Sequence, residues 1–400
     1  MSPQRLLLLA AWLAVASCTR VEDAQPPLGL SGNGSGGTSQ SDAGSGGDAG
    51  RGGEGEGGDG VSLGGAPATE ELGLWPTFAT REGDDVDADA VLAAASALSV
   101  GSSTLPLYVR WNDLATTNGS SLTPALLRLD ALIQPYRDQG KRVALCLGIV
   151  DRAQPAWPFS VPLAEADPGP AVERTIDELL ARYGDVLSHL CFGYEVDRYL
   201  QQASQGDGQH LNELLQHAVA YAQGAVLPGT AVGVAVTLEA VATAAVALDD
   251  LPRGDEIVAV YDPLLSDGSL QEPGAVTDQL GAALDQLAES DAPRLPLALF
   301  EAGYPAASEE AQREFFEALF ATLEAHTEEL SFIGLFGLGD RSAASCDAEA
   351  LSYGDSSAAL RAARSLARCS IGLRASPTPG AAPRPRLAWP LALSALSRYR

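Results

Sequence analysis

Between residues 70 and 373 the chain alternates short apolar runs with stretches in which apolar positions recur every three or four residues. The runs 73–80, 105–111, 142–150, 188–195, 231–238, 256–261, 295–301 and 331–337 are rich in Val, Leu, Ile, Phe and Tyr, as strands buried on both faces are. The segments between them carry helical spacing, as in Leu126, Leu129 and Ile133, or Ile176, Leu179, Leu180 and Tyr183, or Phe315, Phe316, Leu319, Phe320 and Leu323. Alternating strand and helix predicts a parallel sheet covered by helices. Eight units of roughly 40 residues each predict an α/β chain folded as one (β/α)8 TIM barrel. An open doubly wound sheet is the alternative, but no glycine-rich turn follows its first strand.

The two ends break this pattern. An apolar stretch from Leu6 to Ala16 follows a single basic residue, Arg5, which predicts a signal peptide over residues 1–17. The segment Val15-Ala16-Ser17-Cys18 resembles a bacterial lipobox, which would make Cys18 a lipid attachment site; the alternative is an ordinary signal peptide with an incidental cysteine. Residues 18–69 are dominated by Gly, Ser and Asp, with almost nothing to fill a core, a flexible tether of r.m.s. reach about 40 Å. The expected address is a bacterial outer membrane or cell surface, reached through the lipid. Residues 374–400 combine a proline-rich stretch with a short apolar and basic end, read as a disordered tail.

Charge and cysteine usage narrow the function classes. A formal net charge of −27, spread along the chain, excludes nucleic acid and a polybasic membrane contact. Export permits disulfides, and Cys346 with Cys369 is the expected pair, while Cys146 and Cys191 fall inside strands. No His or Cys spacing suits a metal, and no cofactor is expected. No G-x-S-x-G elbow follows a strand either. A monomer with a carbohydrate partner is the remaining expectation.

In a barrel of this kind reactive side chains stand at the C-terminal ends of strands. Two glutamates emerge there from otherwise apolar runs: Glu195 in Gly193-Tyr194-Glu195-Val196-Asp197 and Glu301 in Leu299-Phe300-Glu301-Ala302-Gly303-Tyr304-Pro305. They lie three βα units apart, nearly across the mouth, where their carboxylates could converge. One carboxylic acid to protonate a leaving oxygen and one carboxylate about 5–5.5 Å away to attack the anomeric carbon is the equipment of a retaining glycosidase. Arg110 is placed as the cation that keeps the nucleophile ionised. Trp111, Tyr194 and Tyr304, with Trp75 and Trp157, are candidates for stacking on sugar rings.

The segments Arg110-Trp111-Asn112-Asp113-Leu114, Phe192 to Asp197, Tyr261-Asp262-Pro263-Leu264 and Phe300 to Pro305 resemble, in order and spacing, clan A retaining glycoside hydrolases. The chain looks most like the arabinogalactan endo-β-1,4-galactanase group and its bacterial relatives. That resemblance implies Glu195 as acid/base, Glu301 as nucleophile, Arg110 as its support and Tyr261 as a tyrosine hydrogen-bonded to it. Three positions depart from it. Tyr194 stands where the family has Asn, Asp262 adds a third carboxylate, and strand eight lacks the tryptophan that floors a sugar subsite. The readings open at this point are an extracellular glycosidase, a catalytically impaired carbohydrate-binding protein and a surface scaffold.

Overall fold

A computed structural model describes residues 71–398 except 77–85, 116–122, 246–250, 253, 266, 290–294, 307, 339, 341–342, 356 and 376–383. The signal peptide, Cys18 and the tether lie outside the described residues. Eight strands, β1 (Leu72–Leu74), β2 (Thr104–Arg110), β3 (Arg142–Asp151), β4 (Leu187–Tyr194), β5 (Ala231–Thr237), β6 (Glu256–Val260), β7 (Leu297–Ala302) and β8 (Leu330–Leu335), each pair in parallel with the next. β8 then pairs with β1, Leu72 opposite Ile333 and Leu74 opposite Leu335, so the sheet closes and the open-sheet alternative falls. Gln154–Pro155 folds back antiparallel on the end of β3.

Closure depends on small residues at the seam. A Cβ at Gly334 would stand 2.1 Å from the Phe300 carbonyl oxygen. That same oxygen accepts from Trp75 Nε1 at 2.8 Å, so β1, β7 and β8 meet at one carbonyl. Trp75, named as a possible sugar platform, is buried here against Phe300 and Phe336.

Alternation along the strands sorts side chains into two layers. Ala144, Cys146, Cys191, Ala235, Val258, Val260, Ala298, Phe300 and Phe332 fill the barrel. Their neighbours, such as Leu145, Leu190, Phe192, Ile257 and Leu299, pack outward under the helices. Cys146 and Cys191 are directly opposed on β3 and β4, and they form an interior disulfide that their strand context alone does not announce. Cys346 and Cys369 form the second, Cα to Cα 5.6 Å.

The N-terminal end of the barrel holds a buried polar cluster. His189 Nδ1 lies 2.9 Å from Glu256 Oε1, and its Nε2 lies 3.5 Å from Glu71 Oε2. Ser331 donates to Glu256, while Ser188 and Thr104 donate to Glu71. Burial would push the imidazole down, but the two carboxylates outweigh it and lift it to about 10 from an unfolded 6.5. A raised folded value means that the charged imidazole's stabilisation is complete below 6.5 and is lost as pH climbs through 10. Urea midpoints should therefore fall between those values, and His189→Gln should flatten that part of the profile. An unchanged slope in the variant would sink the assignment.

The C-terminal segment corrects the expectation of a frayed tail. Arg374–Ala375 pairs antiparallel with Arg384–Pro385, and a helix, Trp389–Arg398, follows. That helix docks on the helix Glu309–Ala325, burying Ala388, Ala392, Ala395 and Leu396. Arg386 reaches Asp340 at 2.7 Å, and Arg384 and Arg398 pair with Glu309 and Glu324. The apolar letters that look too few to span a membrane are one face of an amphipathic helix.

Candidate active site

Glu195 and Glu301 both line the mouth, although strict alternation from Phe300 and from Cys191 would have turned Glu301 and Tyr194 outward. On β7, Ala298 and Phe300 face inward, yet Ala302 belongs to the outer layer with Leu297 and Leu299. The phase inverts at a bulge: Leu299 and Glu301 oppose successive residues Ala259 and Val260 of β6, which leaves Phe300 as the extra residue. Glu301 is thereby re-aimed inward, a common use of bulges beside active sites. On β4 the inversion occurs at Gly193, whose φ is +71° and whose added Cβ would meet Val196 Cγ2 at 2.3 Å. Tyr194 therefore faces inward after Cys191.

Glu195 follows in the left-handed region, φ 53°, and Arg152 at the end of β3 does the same at φ 57°. Neither residue carries that conformation cheaply; about 1–3 kcal/mol each is typical. The two are ion-paired, Arg152 Nε to Glu195 Oε1 at 3.2 Å, and the Arg152 backbone N–H donates to the Tyr194 carbonyl at 2.8 Å.

The mouth is a closed ionic network. Arg198, one turn beyond Glu195, donates from Nε to Glu195 Oε2, and its Nη2 lies 2.8 Å from Asp262 Oδ2. Asp262 also holds Arg364 Nη1 at 3.0 Å, and Arg364 in turn holds Asp355 at 2.6 Å. Glu301 accepts from the Tyr194 hydroxyl and from Arg368 Nη1. Glu349 bridges Arg152 at 2.5 Å and Arg368 at 3.0 Å. The Tyr353 ring lies under the guanidiniums of Arg364 (4.0 Å) and Arg152 (4.6 Å), and its hydroxyl accepts from Arg368 at 2.8 Å.

Burial sets the protonation states. Desolvation raises the Glu195 carboxyl above its ordinary range despite Arg198 and Arg152. For Asp262 burial pulls the same way, but Arg198, Arg368 and Arg364 outweigh it and hold the carboxyl low. Burial and the Glu301 charge push the Tyr194 phenol well above its usual value, so it remains a donor. One carboxyl thus gives up its proton less readily than a free glutamate, while the other receives a hydrogen bond from a neutral phenol.

Four sequence-based assignments move. Arg110 stands half-exposed at the rim, bonded to Asp113 at 3.3 Å; the cation on Glu301 is Arg368. Trp111 is buried in the outer layer, its Nε1 donating to Thr175 Oγ1 at 2.9 Å and its ring edge-on to Phe159. Tyr261 stacks on Phe315, because Val258 and Val260 face inward and parity gives the inward position to Asp262. Tyr304 stacks on the other side of that cluster and donates to the Gln271 carbonyl at 2.6 Å. The phenol expected from Tyr261 is supplied by Tyr194. Arg152 closes a strand whose end, Val150-Asp151-Arg152, belongs among the polar strand ends and would have exposed it. Arg364 and Arg368 recur at helical i, i+4 spacing.

No family model matches the sequence, and no curated protein is similar to it by sequence. Solved structures match by shape. A GH5_18 structure from Streptomyces cattleya, in complex with Manβ1-4GlcNAc, superposes with a TM-score of 0.58 at 17% identity, covering 82% of this chain and 81% of that one. A GH5_18 structure from Bifidobacterium longum subsp. infantis gives 0.58 at 13% identity, over 83% and 79%. The exo-β-1,4-mannosidase of an Opitutaceae bacterium gives 0.57 at 14% identity, over 82% and 60%. At such identities the shared property is the (β/α)8 fold.

Proposed function

We propose that the chain is an exported, lipid-anchored surface protein whose barrel performs retaining hydrolysis of a polysaccharide or glycoconjugate outside the cell. The observation that carries this reading is the pair of phase inversions that turn Tyr194 and Glu301 into the mouth, with Glu195 brought in beside them by its left-handed backbone. Strain and irregularity gathered on two carboxylates suit a reacting pair better than a packing role.

In this reading Glu195, which holds its proton more tightly than a free glutamate, gives it to the leaving glycosidic oxygen. Glu301, oriented by the Tyr194 phenol, attacks the anomeric carbon as that bond breaks. Glu195, now a carboxylate, then takes a proton from water, whose oxygen displaces Glu301 and restores both groups. A β-1,4 linkage is the first to test. The galactanase resemblance implies one, and the mannosidase and the Manβ1-4GlcNAc complex carry one in their names.

Incubation with 2-deoxy-2-fluoro-β-glycosides bearing a dinitrophenyl leaving group should add one fluoroglycosyl unit to the peptide containing Glu301, read by mass. The reading fails if neither the chain as it stands nor Arg368→Ala takes label from galactosyl, glucosyl or mannosyl reagents. Arg152 and Arg198 both grip Glu195, which favours the impaired carbohydrate-binding protein as second reading. Saccharide binding in calorimetry without any label would select it. The address rests on Cys18: palmitate incorporation should vanish in Cys18→Ser, and incorporation that persists would discard the anchor.

A further inference from the structure

Each helix around a barrel must be held to it by something, and most here are held by apolar faces. The helix Glu309–Ala325 buries Phe315, Phe316, Leu319 and Leu323. The helix Ala358–Cys369 is different: its buried side chains are Arg364, Ala367 and Arg368, while Leu366 is 70% exposed. Its partner, Ala343–Ser352, sends Glu349 into the same network and leaves Leu351 62% exposed. The disulfide Cys346–Cys369 ties the two helices to each other, not to the barrel. Their chain leaves and re-enters at one neck, where Leu373 N–H donates to Gly337 and Arg374 N–H donates to Leu338.

We propose that this stapled hairpin, residues 343–369, is an autoinhibitory cap that occupies the barrel mouth through Arg368 on Glu301 and Arg364 on Asp262, and must swing away for a saccharide to enter. The proposal rests on the reading of Glu195 and Glu301 as the reacting pair.

The energetics fit a movable part. Separating an apolar face exposes surface that water penalises, whereas separating buried ion pairs returns both partners to hydration and recovers much of their desolvation cost. A hairpin held mainly by arginines, a tyrosine and a glutamate, with Leu360 and Ala363 in apolar contact with the Gly268 turn, therefore opens at lower cost than a leucine-faced helix of equal size. Arg368 also occupies the carboxylate that would attack the sugar, so the closed form cannot react. The disulfide keeps the hairpin folded as it moves, and the neck gives it one place to pivot.

The test uses the full chain and Arg364→Ala/Arg368→Ala, with two readouts. The first is modification of carboxylates by carbodiimide and glycine ethyl ester, located by mass, which reads access without requiring turnover. The second is turnover of 4-nitrophenyl β-galactoside, glucoside and mannoside. Glu301 and Asp262 should be protected in the parent and modified in the variant, and kcat/KM should rise about tenfold or more as the competent fraction increases. Modification that rises without turnover in either protein upholds the cap and removes the glycosidase. Turnover that falls below the parent's makes the arginines part of the reaction and overturns the cap. Protection that persists in a folded variant overturns it too, as a fixed wall. If the double variant does not fold, a chain with 343–369 replaced by a short Gly-Ser linker across the neck takes its place. Failure of that chain to fold as well would make the hairpin part of the barrel's structure and end the proposal.

Discussion

Replacing Arg152 by Ala is expected to destabilise the fold by about 3–5 kcal/mol, read as a lower urea midpoint at unchanged slope. Its guanidinium is buried and faces Asp151 at 2.7 Å, Glu195 at 3.2 Å and Glu349 at 2.5 Å. Without it the same buried space holds three carboxyl groups and one positive charge fewer. Combining the change with Glu349→Gln should recover part of the loss, since the two side chains share one interaction. Arg152→Gly should cost less than Arg152→Ala by about 1 kcal/mol, because glycine accepts φ 57° without a Cβ penalty. A midpoint unmoved by Arg152→Ala would mean that the network does not hold the mouth together.

The second large effect concerns turnover. Glu301→Ala should lower kcat/KM by about 10⁴-fold or more, as loss of a nucleophile does. Glu195→Ala should cost about 10²–10⁴-fold, and less with a 4-nitrophenol leaving group, which departs without needing a proton. Equal losses in Glu195→Ala on activated and unactivated glycosides would remove Glu195 from the acid role. Both variants also relieve a charge in a crowded site, so their thermal stability should be measured beside the rates.

The barrel was legible because its evidence is local: each strand is a run of residues with both faces buried, and seven of the eight lie within the expected runs or within two residues of them, while β1 shares only Gly73 and Leu74 with the expected 73–80, whose last four positions lie outside the described residues. The two glutamates were legible because a charged residue ending an apolar run is rare and easily seen. Their partners were not. Arg110, Trp111, Tyr261 and Tyr304 adjoin the motifs, but inward or outward direction is set by parity, which on β6 gives the mouth to Asp262 and not Tyr261, and which is reset on β7 by the Phe300 bulge and on β4 by Gly193. A bulge has no sequence mark of its own. Arg368 lies 67 positions from Glu301, and only the folded hairpin brings it there. The terminal helix was missed for a related reason. Its apolar face is too short to announce itself until the helix it covers is known.

That docked helix bears on where the polypeptide can be cut. Trimming at Leu373, the natural end of the barrel by sequence pattern, would strip Ala388, Ala392 and Leu396 from the side of Glu309–Ala325 and leave an oily stripe facing water. It would also remove Arg386, which ties Asp340 and the Ser370 carbonyl beside the neck of the hairpin. A shortened protein would thus become prone to self-association at the stripe and loosened at the pivot, two artefacts that in a glycan screen could pass for avidity and for activation.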